Sequence, residues 1–448
     1  MSAISSLSWR RNEGAELIVR GARVLDPRAG IDGIRDIVIR QGEIIELAEP
    51  GSAGADGLES VDAEGMFALP AFFDPHVHLR VPGHEHKEDL ETGTRAAGAG
   101  GFCGVLAMPN TEPPVDGAPA VQALRRQAER EASVPVGFFA SITRAIAGDE
   151  LTEMAELREA GAVGFSDDGW PLRSARVLRR ALQYQRLVGG VVALHEEDPE
   201  LSGDGAMHEG PVSAALGLAG IPSVSESTMI ARDAALAAYE EARVHVLHLS
   251  ARESVEAVAR AKEAGARITA EVTPHHLTMT DEAVRGLDAR FKMNPPLRSE
   301  EDRLALIEGL RAGVIDCVAT DHAPHASDEK EVPFEEAAMG VTGLETAFPV
   351  LYTDLVIPGV LDLELLVERM TAGAAAFGFD VPTVEPGSEA NVVLIDPEAE
   401  WEAGTEGWES RSENSCFAGH RLRGRVLMTV AAGQVAYRQR SFAMGVAA

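Results

Sequence analysis

Two histidines separated by one residue follow an apolar stretch near the start of the chain. His76 and His78 lie in the run from Asp74 to Arg80, directly after the apolar residues 67–73. Alternate residues of a β-strand point to the same face, so the two imidazoles lie side by side at a spacing that suits one metal ion. The alternative is a polar strand end exposed to water. Further metal-ligating residues elsewhere in the chain would favour the metal site over the polar strand end.

Two further histidines, His195 and His248, each follow a short apolar segment. Either one alone would more often be a hydrogen-bonded histidine of the core or its rim. Together with His76 and His78, they predict a metal centre. We interpret His245 as structural, because it lies earlier in its segment and off the alternation of His248.

A carboxylate follows the last apolar segment of the same kind. Asp321 precedes His322, Ala323 and Pro324. A carboxylate at a strand end can bind a divalent metal and accept a proton from metal-bound water, as hydrolysis requires. We therefore predict that Asp321 is a metal ligand and the general base. The alternative is a cap of the next helix, which Pro324 and the polar residues after it disfavour.

These residues can meet only if a scaffold brings the ends of several strands together. Stretches with helical periodicity separate the apolar segments, for example Ser254 to Ala264, with Gly265 as a candidate C-cap. The predicted strands lie at about residues 67–79, 103–109, 134–142, 162–168, 190–196, 243–249, 267–273 and 314–321. Eight strand and helix units predict an α/β fold of the (β/α)8 TIM barrel type, whose active sites lie at the C-terminal ends of the strands.

Shorter strand-like segments occur at both ends of the chain, at residues 17–19, 37–39, 44–46, 391–395 and 426–428. We predict that they form one small β-sandwich domain beside the barrel. The predicted division assigns residues 1–66 and 385–448 to the β-sandwich and residues 67–384 to the barrel. This arrangement requires the two ends of the chain to meet in space.

Four segments, in this order, resemble the dihydroorotase family of the amidohydrolase superfamily. They are Asp74-Pro75-His76-Val77-His78-Leu79-Arg80, Ala107-Met108-Pro109-Asn110-Thr111, Asn294-Pro295-Pro296-Leu297-Arg298 and Asp321-His322-Ala323-Pro324-His325. The resemblance extends over nearly the whole chain, from about Leu17 to the last predicted strand. Any one segment can occur elsewhere, whereas all four in this order are highly specific.

The ligand on the fourth strand distinguishes groups within this superfamily. Many cyclic amidohydrolases, including hydantoinases, allantoinases and some dihydroorotases, bridge two metals with a carbamylated lysine there. This chain has no lysine between residues 88 and 261. Residues 164–169 instead resemble the dihydroorotase group that uses an aspartate at this position.

Two adjacent aspartates compete for this role. Val163 and Phe165 are bulky and should face the surrounding helices, so the opposite alternation, which includes Asp168, should face the barrel interior. We therefore predict Asp168 as the ligand. Asp167 should orient a neighbour or cap the following turn.

The resemblance implies the zinc-dependent, reversible cyclisation of N-carbamoyl-L-aspartate to dihydroorotate in de novo pyrimidine (UMP) biosynthesis. A metal lowers the pKa of its bound water to about 7, which provides hydroxide to attack the ring amide carbonyl. Asp321 would then pass the proton to the leaving nitrogen. One or two zinc ions would be held by His76, His78, Asp168, His195, His248 and Asp321.

The carboxylate of this substrate needs cationic or hydrogen-bonding groups. Arg80 lies two residues past His78 on the same strand alternation and suits a bidentate contact. By the family pattern, Asn110 and His325 bind the substrate carboxylate together with Arg80, and Asn294 contacts the substrate ring. The alternative for Arg80 is a surface charge.

Two other functions stay open. One is a cyclic amidohydrolase with another substrate, such as a dihydropyrimidinase, hydantoinase or allantoinase. The missing lysine and the trio of Arg80, Asn110 and His325 disfavour it. The other is a non-catalytic dihydroorotase-like subunit of aspartate transcarbamoylase, which should have lost metal ligands that this chain retains. The resemblance also allows a complex with aspartate transcarbamoylase, or a homo-oligomer.

Composition excludes several classes of partner. A formal net charge of −31 at pH 7 would repel a phosphate backbone, so we expect no nucleic-acid partner. The N-terminus lacks the layout of a signal peptide and no apolar run reaches membrane length, so we expect a cytoplasmic enzyme without membrane contact. The 3 cysteines have no paired spacing and should be reduced thiols.

Overall fold

The described strands form a large terminal sheet, two arrays of parallel strands and one separate parallel pair. The computed structural model describes residues 6–54 and 57–443, without the side chains of Ser441 and Ala443. The strands are β1 (Leu17–Asp26), β2 (Ile31–Arg40), β3 (Glu43–Ala48), β4 (Glu59–Asp62), β5 (Phe67–Pro70), β6 (Phe72–Val77), β7 (Phe102–Ala107), β8 (Val136–Phe138), β9 (Phe165–Ser166), β10 (Val192–Leu194), β11 (Met207–His208), β12 (Gly220–Ile221), β13 (Arg243–Val246), β14 (Arg267–Val272), β15 (Cys317–Val318), β16 (Val392–Glu402), β17 (Arg421–Ala431) and β18 (Gln434–Arg438).

Helices lie between most of these strands. They are α1 (Leu90–Ala99), α2 (Ala118–Glu131), α3 (Met154–Ala160), α4 (Ala175–Val188), α5 (Pro199–Ser202), α6 (Pro211–Leu216), α7 (Val224–Glu240), α8 (Arg252–Glu263), α9 (Pro274–Thr278), α10 (Glu300–Arg311), α11 (Ser327–Lys330), α12 (Ala347–Leu351), α13 (Leu363–Thr371), α14 (Gly373–Ala376) and α15 (Arg440–Ala443). The order of elements is that of an α/β protein.

Strands from both ends of the chain form one sheet, in the order β18-β17-β16-β5-β1-β2-β3, with β4 beside β1. The C-terminal strands join it through β16, which pairs antiparallel with β5. Two hairpin turns of this sheet also touch, since a Cβ atom on Gly42 would lie 2.7 Å from the carbonyl oxygen of Gly433. Both glycines have a positive φ, of 78° and 73°. A side chain at either position would strain the turn and separate the two ends of the chain.

The two parallel arrays have the orders β6-β7-β8 and β9-β10-β13-β14-β15, and β11 pairs with β12 apart from them. Isolated parallel bridges pair Val77 of β6 with His322, and Ala140 with Phe165 of β9. Every strand predicted for the barrel overlaps at least one observed strand. The C-terminal ends of these strands carry the residues that the sequence singled out.

The first predicted strand, residues 67–79, is in fact two strands. β5 belongs to the terminal sheet and β6 to a parallel array. Pro70 has no N–H to offer, and the next two amides have different partners. The N–H of Ala71 donates to the carbonyl of Asn391, and that of Phe72 donates to the carbonyl of Gly101. The chain therefore passes from one sheet to the other at Ala71.

The predicted helix from Ser254 to Ala264 corresponds to α8, which begins two residues earlier, at Arg252. Its first turn is held from outside the segment, because the Arg252 N–H donates to the Asp302 carboxylate at 2.9 Å. Gly265 follows the last turn with a φ of 84°, the left-handed conformation in which glycine often ends a helix.

The apolar interior lies between the parallel strands and the helices, and a second apolar cluster lies in the terminal sheet. Cys103, Cys317 and Cys416 are buried free thiols. Within the described residues, none of the helices has the length and apolar character needed to cross a membrane.

Candidate metal centre

Imidazole and carboxylate groups converge where the parallel strands end. His76 lies in β6, His78 directly follows it, and Asp321 follows β15. Oδ1 of Asp321 lies 3.3 Å from Nε2 of His76 and 3.0 Å from Nε2 of His78. All three side chains are buried, and their ligand atoms lie within 4.8 Å of one another. This trio can hold one metal ion.

Asp168, which follows β9, lies among four histidines. Its Oδ1 is 3.8 Å from His76 Nε2, 3.7 Å from His195 Nδ1 and 3.8 Å from His248 Nε2. Its Oδ2 is 3.4 Å from His78 Nε2. A second candidate metal group therefore consists of His76, Asp168 and His248. The structure brings together all six residues that the sequence predicted as ligands.

Asp167 has a different environment. Its carboxylate accepts hydrogen bonds from the N–H of Ile142 at 2.7 Å, the N–H of Thr143 at 3.1 Å and the Thr143 hydroxyl. Burial raises the pKa of Asp167 to about 6, although these hydrogen bonds act in the opposite direction. Asp167 thus ties the chain after β9 to the chain after β8.

The donor set fits a divalent metal. His76 Nε2 and Asp168 Oδ1 are buried, and neither atom has a hydrogen-bond partner within the described part of the chain. Buried polar atoms without a partner are rare, so both atoms require a further group. Two ligands of a tetrahedral zinc ion, each about 2.1 Å from the metal, lie about 3.4 Å apart. The separations of 3.4 to 3.8 Å around Asp168 are close to that value.

The centre attracts positive charge. Burial raises the pKa of Asp168, but the charge of His76 and the nearby rings of His195 and His248 hold it well below its usual value. Burial also raises the pKa of Asp321, but His76 and His78 lower it below its usual value. Burial lowers the pKa of His195, but the nearby carboxylates of Asp168 and Glu197 raise it to about 10. A divalent cation would replace these protons as the counter-charge.

Three of the histidines use their other ring nitrogen to contact a polar side chain. These pairs are His76 Nδ1 with Glu271 Oε1 at 2.6 Å, His78 Nδ1 with Asn110 Oδ1 at 3.0 Å, and His195 Nε2 with Glu197 Oε2 at 3.5 Å. Such contacts fix the tautomer and the orientation of a ring that binds a metal.

Glu271 and Glu197 were not among the site residues predicted from the sequence. Glu271 had a signal that could have been used, since it stands between Ala270 and Val272 inside an otherwise apolar part of β14. A fully buried carboxylate in a strand needs a partner. Glu197, two residues past His195, had no comparable signal.

Arg80 and His325, both predicted to bind a substrate carboxylate, lie next to each other. Nη2 of Arg80 is 3.4 Å from Nε2 of His325, and its Nε donates to the carbonyl of Pro324 at 3.0 Å. Burial and the charge of Arg80 lower the pKa of His325 to about 3. The pair therefore combines one permanent cation with a neutral imidazole.

The two asparagines predicted to contact substrate also contact residues of the centre. Nδ2 of Asn110 donates to Oδ2 of Asp168 at 3.2 Å, so its amide spans His78 and Asp168. Nδ2 of Asn294 donates to Oε2 of Glu197 at 2.6 Å. Asn294 is thereby connected to His195 through one side chain.

The backbone around the centre is held in unusual conformations. Arg80, His248 and Asp321 have φ values of 58°, 31° and 48°. Non-glycine residues adopt this region at a cost, which the surrounding structure must offset. Buried Asp74 contributes, because it accepts hydrogen bonds from the His76 N–H at 3.0 Å and the Thr320 hydroxyl at 2.6 Å. It thereby ties the end of β6 to the residue before Asp321.

Comparison with known proteins identifies the family. A family model described as Dihydro-orotase-like matches residues 65–254. A dihydroorotase from Geobacter sp. (strain M21) is 46% identical over 423 residues, which cover 94% of this chain and 99% of the relative. The chain belongs to the dihydroorotase family. A dihydroorotase from Anaeromyxobacter sp. (strain K) is 45% identical over 426 residues, with 94% and 98% covered.

Solved structures place the dihydroorotase family among the cyclic amidohydrolases. The L-hydantoinase (dihydropyrimidinase) from Arthrobacter aurescens matches with a TM-score of 0.83 and 26% identity, over 94% of this chain and 96% of that chain. The dihydropyrimidinase from Brevibacillus agri NCHU1002 has a TM-score of 0.80 at 23% identity, covers 94% and 95%, and shows the fold alone. As a member of this family, the protein is a cyclic amide hydrolase.

Proposed function

We propose that the protein catalyses the reversible cyclisation of N-carbamoyl-L-aspartate to dihydroorotate, a step of pyrimidine biosynthesis. Identity of 46% to a dihydroorotase over 94% of the chain supports this reaction. The observation that carries it is the Arg80–His325 pair, at 3.4 Å, on the same chain segments as His78 and Asp321. A carboxylate-binding pair beside a metal centre fits a cyclic amide that also carries a carboxylate.

The proposed cofactor is zinc, one or two ions per chain. The ligands would be His76, His78, Asp168, His195, His248 and Asp321. When bound, zinc supplies Lewis-acid polarisation of an amide carbonyl and lowers the pKa of water enough to provide hydroxide as the nucleophile near neutral pH. The positions of the two Asp168 oxygens support two ions, because Oδ1 lies 3.7 to 3.8 Å from nitrogens of His76, His195 and His248, whereas Oδ2 lies 3.4 Å from His78.

We assign the general acid and base role to Asp321. In hydrolysis its carboxylate would accept the proton of the attacking water and deliver it to the ring nitrogen that leaves. In cyclisation it would move the proton the other way. The contacts of Asp74 with Thr320 support this role, because they fix the backbone immediately before Asp321.

Substrate orientation is assigned to four side chains. The Arg80 guanidinium would bind the substrate carboxylate in a bidentate contact, with the neutral imidazole of His325 beside it. Asn110 and Asn294 would offer amide groups to the substrate as well as to Asp168 and Glu197. These four residues would determine which cyclic amide is accepted.

For the fold, we propose that the parallel strands form a closed (β/α)8 barrel. The bridges from Val77 to His322 and from Ala140 to Phe165 support closure, because each joins an edge of one array to the other array. Residues 67–384 would be the barrel, and residues 1–66 with 385–448 a β-sandwich domain. The pairing of β5 with β16 supports the union of the two ends. Residues 1–5, 55–56 and 444–448 lie outside the described residues.

The second candidate is hydrolysis of a cyclic amide without the carboxylate, as in a dihydropyrimidinase or hydantoinase. The TM-score of 0.83 to an L-hydantoinase (dihydropyrimidinase) is the observation in its favour. Arg80 and His325 favour dihydroorotate, because a substrate without a carboxylate would leave the guanidinium without a charged partner.

An assay of the purified protein distinguishes the two. Dihydroorotate, dihydrouracil and hydantoin are offered separately to chelator-treated protein, with and without added zinc. We expect zinc-dependent opening of dihydroorotate and little turnover of the other two. Equal turnover of dihydrouracil and dihydroorotate would favour the dihydropyrimidinase function, and no turnover of any of them would contradict both functions.

A further inference from the structure

Glu271 links candidate metal ligands from two different strands. It is 0% exposed in β14, and its Oε1 lies 2.6 Å from Nδ1 of His76. The same oxygen accepts a hydrogen bond from the backbone N–H of His248 at 3.3 Å. One carboxylate oxygen thus contacts the ring of one ligand and the backbone of another.

The second oxygen of Glu271 is held from the opposite side. Oε2 lies 2.9 Å from Nε2 of His245, and Nδ1 of His245 lies 2.7 Å from the Thr269 hydroxyl. A buried carboxylate is costly without partners, and these contacts use both oxygens. They also fix the direction of the carboxylate, so that it meets His76 in one orientation.

We propose that Glu271 is a positioning residue of the metal centre. By accepting the Nδ1 proton of His76, it leaves the lone pair of Nε2 directed at Asp168 and Asp321. In the other tautomer, Nε2 would carry a proton and could not bind a metal. Nε2 of His76 is the atom without a hydrogen-bond partner among the described residues. By holding the backbone N–H of His248, Glu271 also stabilises that ligand at its φ of 31°. The inference rests on the metal centre of the proposed function.

The test is zinc affinity, measured at fixed pH by competition with a chromogenic chelator. Glu271→Gln removes the charge while nearly preserving the volume. Its affinity for zinc should be tenfold to a hundredfold weaker, as is typical when a partner of a metal ligand is lost. The absorption bands of cobalt bound in place of zinc should also change, because the ring orientation of His76 changes.

Glu226→Gln is the matched control. Glu226 is only 3% exposed and accepts hydrogen bonds from the Ser250 N–H at 3.0 Å and the Ser250 hydroxyl, without contacting the side chain of a proposed ligand. This variant should lose thermal stability and keep the zinc affinity and cobalt spectrum of the unmodified chain. The comparison separates loss of a buried carboxylate from loss of the contact with His76.

A folded Glu271→Gln variant with unchanged zinc affinity and cobalt spectrum would overturn the inference. If that variant does not fold, Glu271→Asp decides, because it keeps the charge but cannot reach His76. Weaker zinc binding supports the inference, and unchanged binding overturns it. If the unmodified chain binds no zinc, the proposed metal centre fails together with the inference. If it binds zinc but does not act on dihydroorotate, the proposed reaction fails alone.

Discussion

Replacing the two adjacent aspartates one at a time should separate metal binding from folding. Asp168 lies 3.4 to 3.8 Å from the ring nitrogens of four histidines. Asp168→Ala removes the only carboxylate of the candidate metal group formed with His76 and His248, and its second oxygen also lies beside His78. We expect this variant to hold less zinc per chain and to lose all hydrolysis of dihydroorotate, because only the trio of His76, His78 and Asp321 stays complete.

Asp167→Ala should destabilise the fold and keep the metal. The substitution leaves three donors without their acceptor, namely the N–H groups of Ile142 and Thr143 and the Thr143 hydroxyl. A buried donor left unpaired costs about 1–3 kcal/mol, so the free energy of unfolding should fall by about 3 kcal/mol or more. Zinc should stay bound, with activity reduced at most tenfold to a hundredfold through altered orientation.

Two measurements on each variant check this pattern: zinc per chain after dialysis without chelator, and the midpoint of urea unfolding of the metal-free protein. Loss of zinc from Asp167→Ala with retention by Asp168→Ala would refute the assignment, since the inward face of this segment would then be one residue out of register. A stability of Asp167→Ala within about 0.5 kcal/mol of the unmodified chain would refute the role given to its hydrogen bonds.

Three further predictions concern other parts of the protein. Arg80→Lys loses the bidentate fork and should lower kcat/KM for dihydroorotate roughly 30-fold, a loss of about 2 kcal/mol of transition-state binding, with the circular dichroism spectrum unchanged. An unaltered kcat/KM would contradict carboxylate binding by Arg80. His78→Ala should abolish both zinc retention and activity, which elemental analysis and the dihydroorotate assay measure together. Burial raises the pKa of Glu345 from 4.5 to about 7, so the folded chain binds this proton more tightly than the unfolded chain. The resulting contribution to the free energy of unfolding is fully present below about pH 4.5 and is lost as the pH rises through about 7. Glu345→Gln should flatten that part of the profile of unfolding midpoint against pH, and an identical profile would count against the shift.

The sequence alone indicated which residue types could form the site. The His76 and His78 spacing, the absence of lysine between residues 88 and 261, and the four family segments are local patterns, and they do not depend on how strands pair. The alternation of side chains along one strand favoured Asp168 over Asp167, and this alternation likewise does not depend on how strands pair. The strands were also predicted with approximately correct positions, since apolar segments bounded by helical periodicity mark them directly.

Tertiary structure decided which distant groups touch. Glu271 lies 195 residues from His76, and its role became visible only when β14 and β6 placed the two side chains 2.6 Å apart. The change of sheet at Ala71 was equally hidden, because the apolar run is continuous through it and only the partners of its amides differ. A sequence pattern gives the face of a residue on its own strand, but its neighbour on another strand depends on strand order and register. Those are fixed by the packing of the whole chain, and a shift of one residue would place every side chain of a strand on the other face.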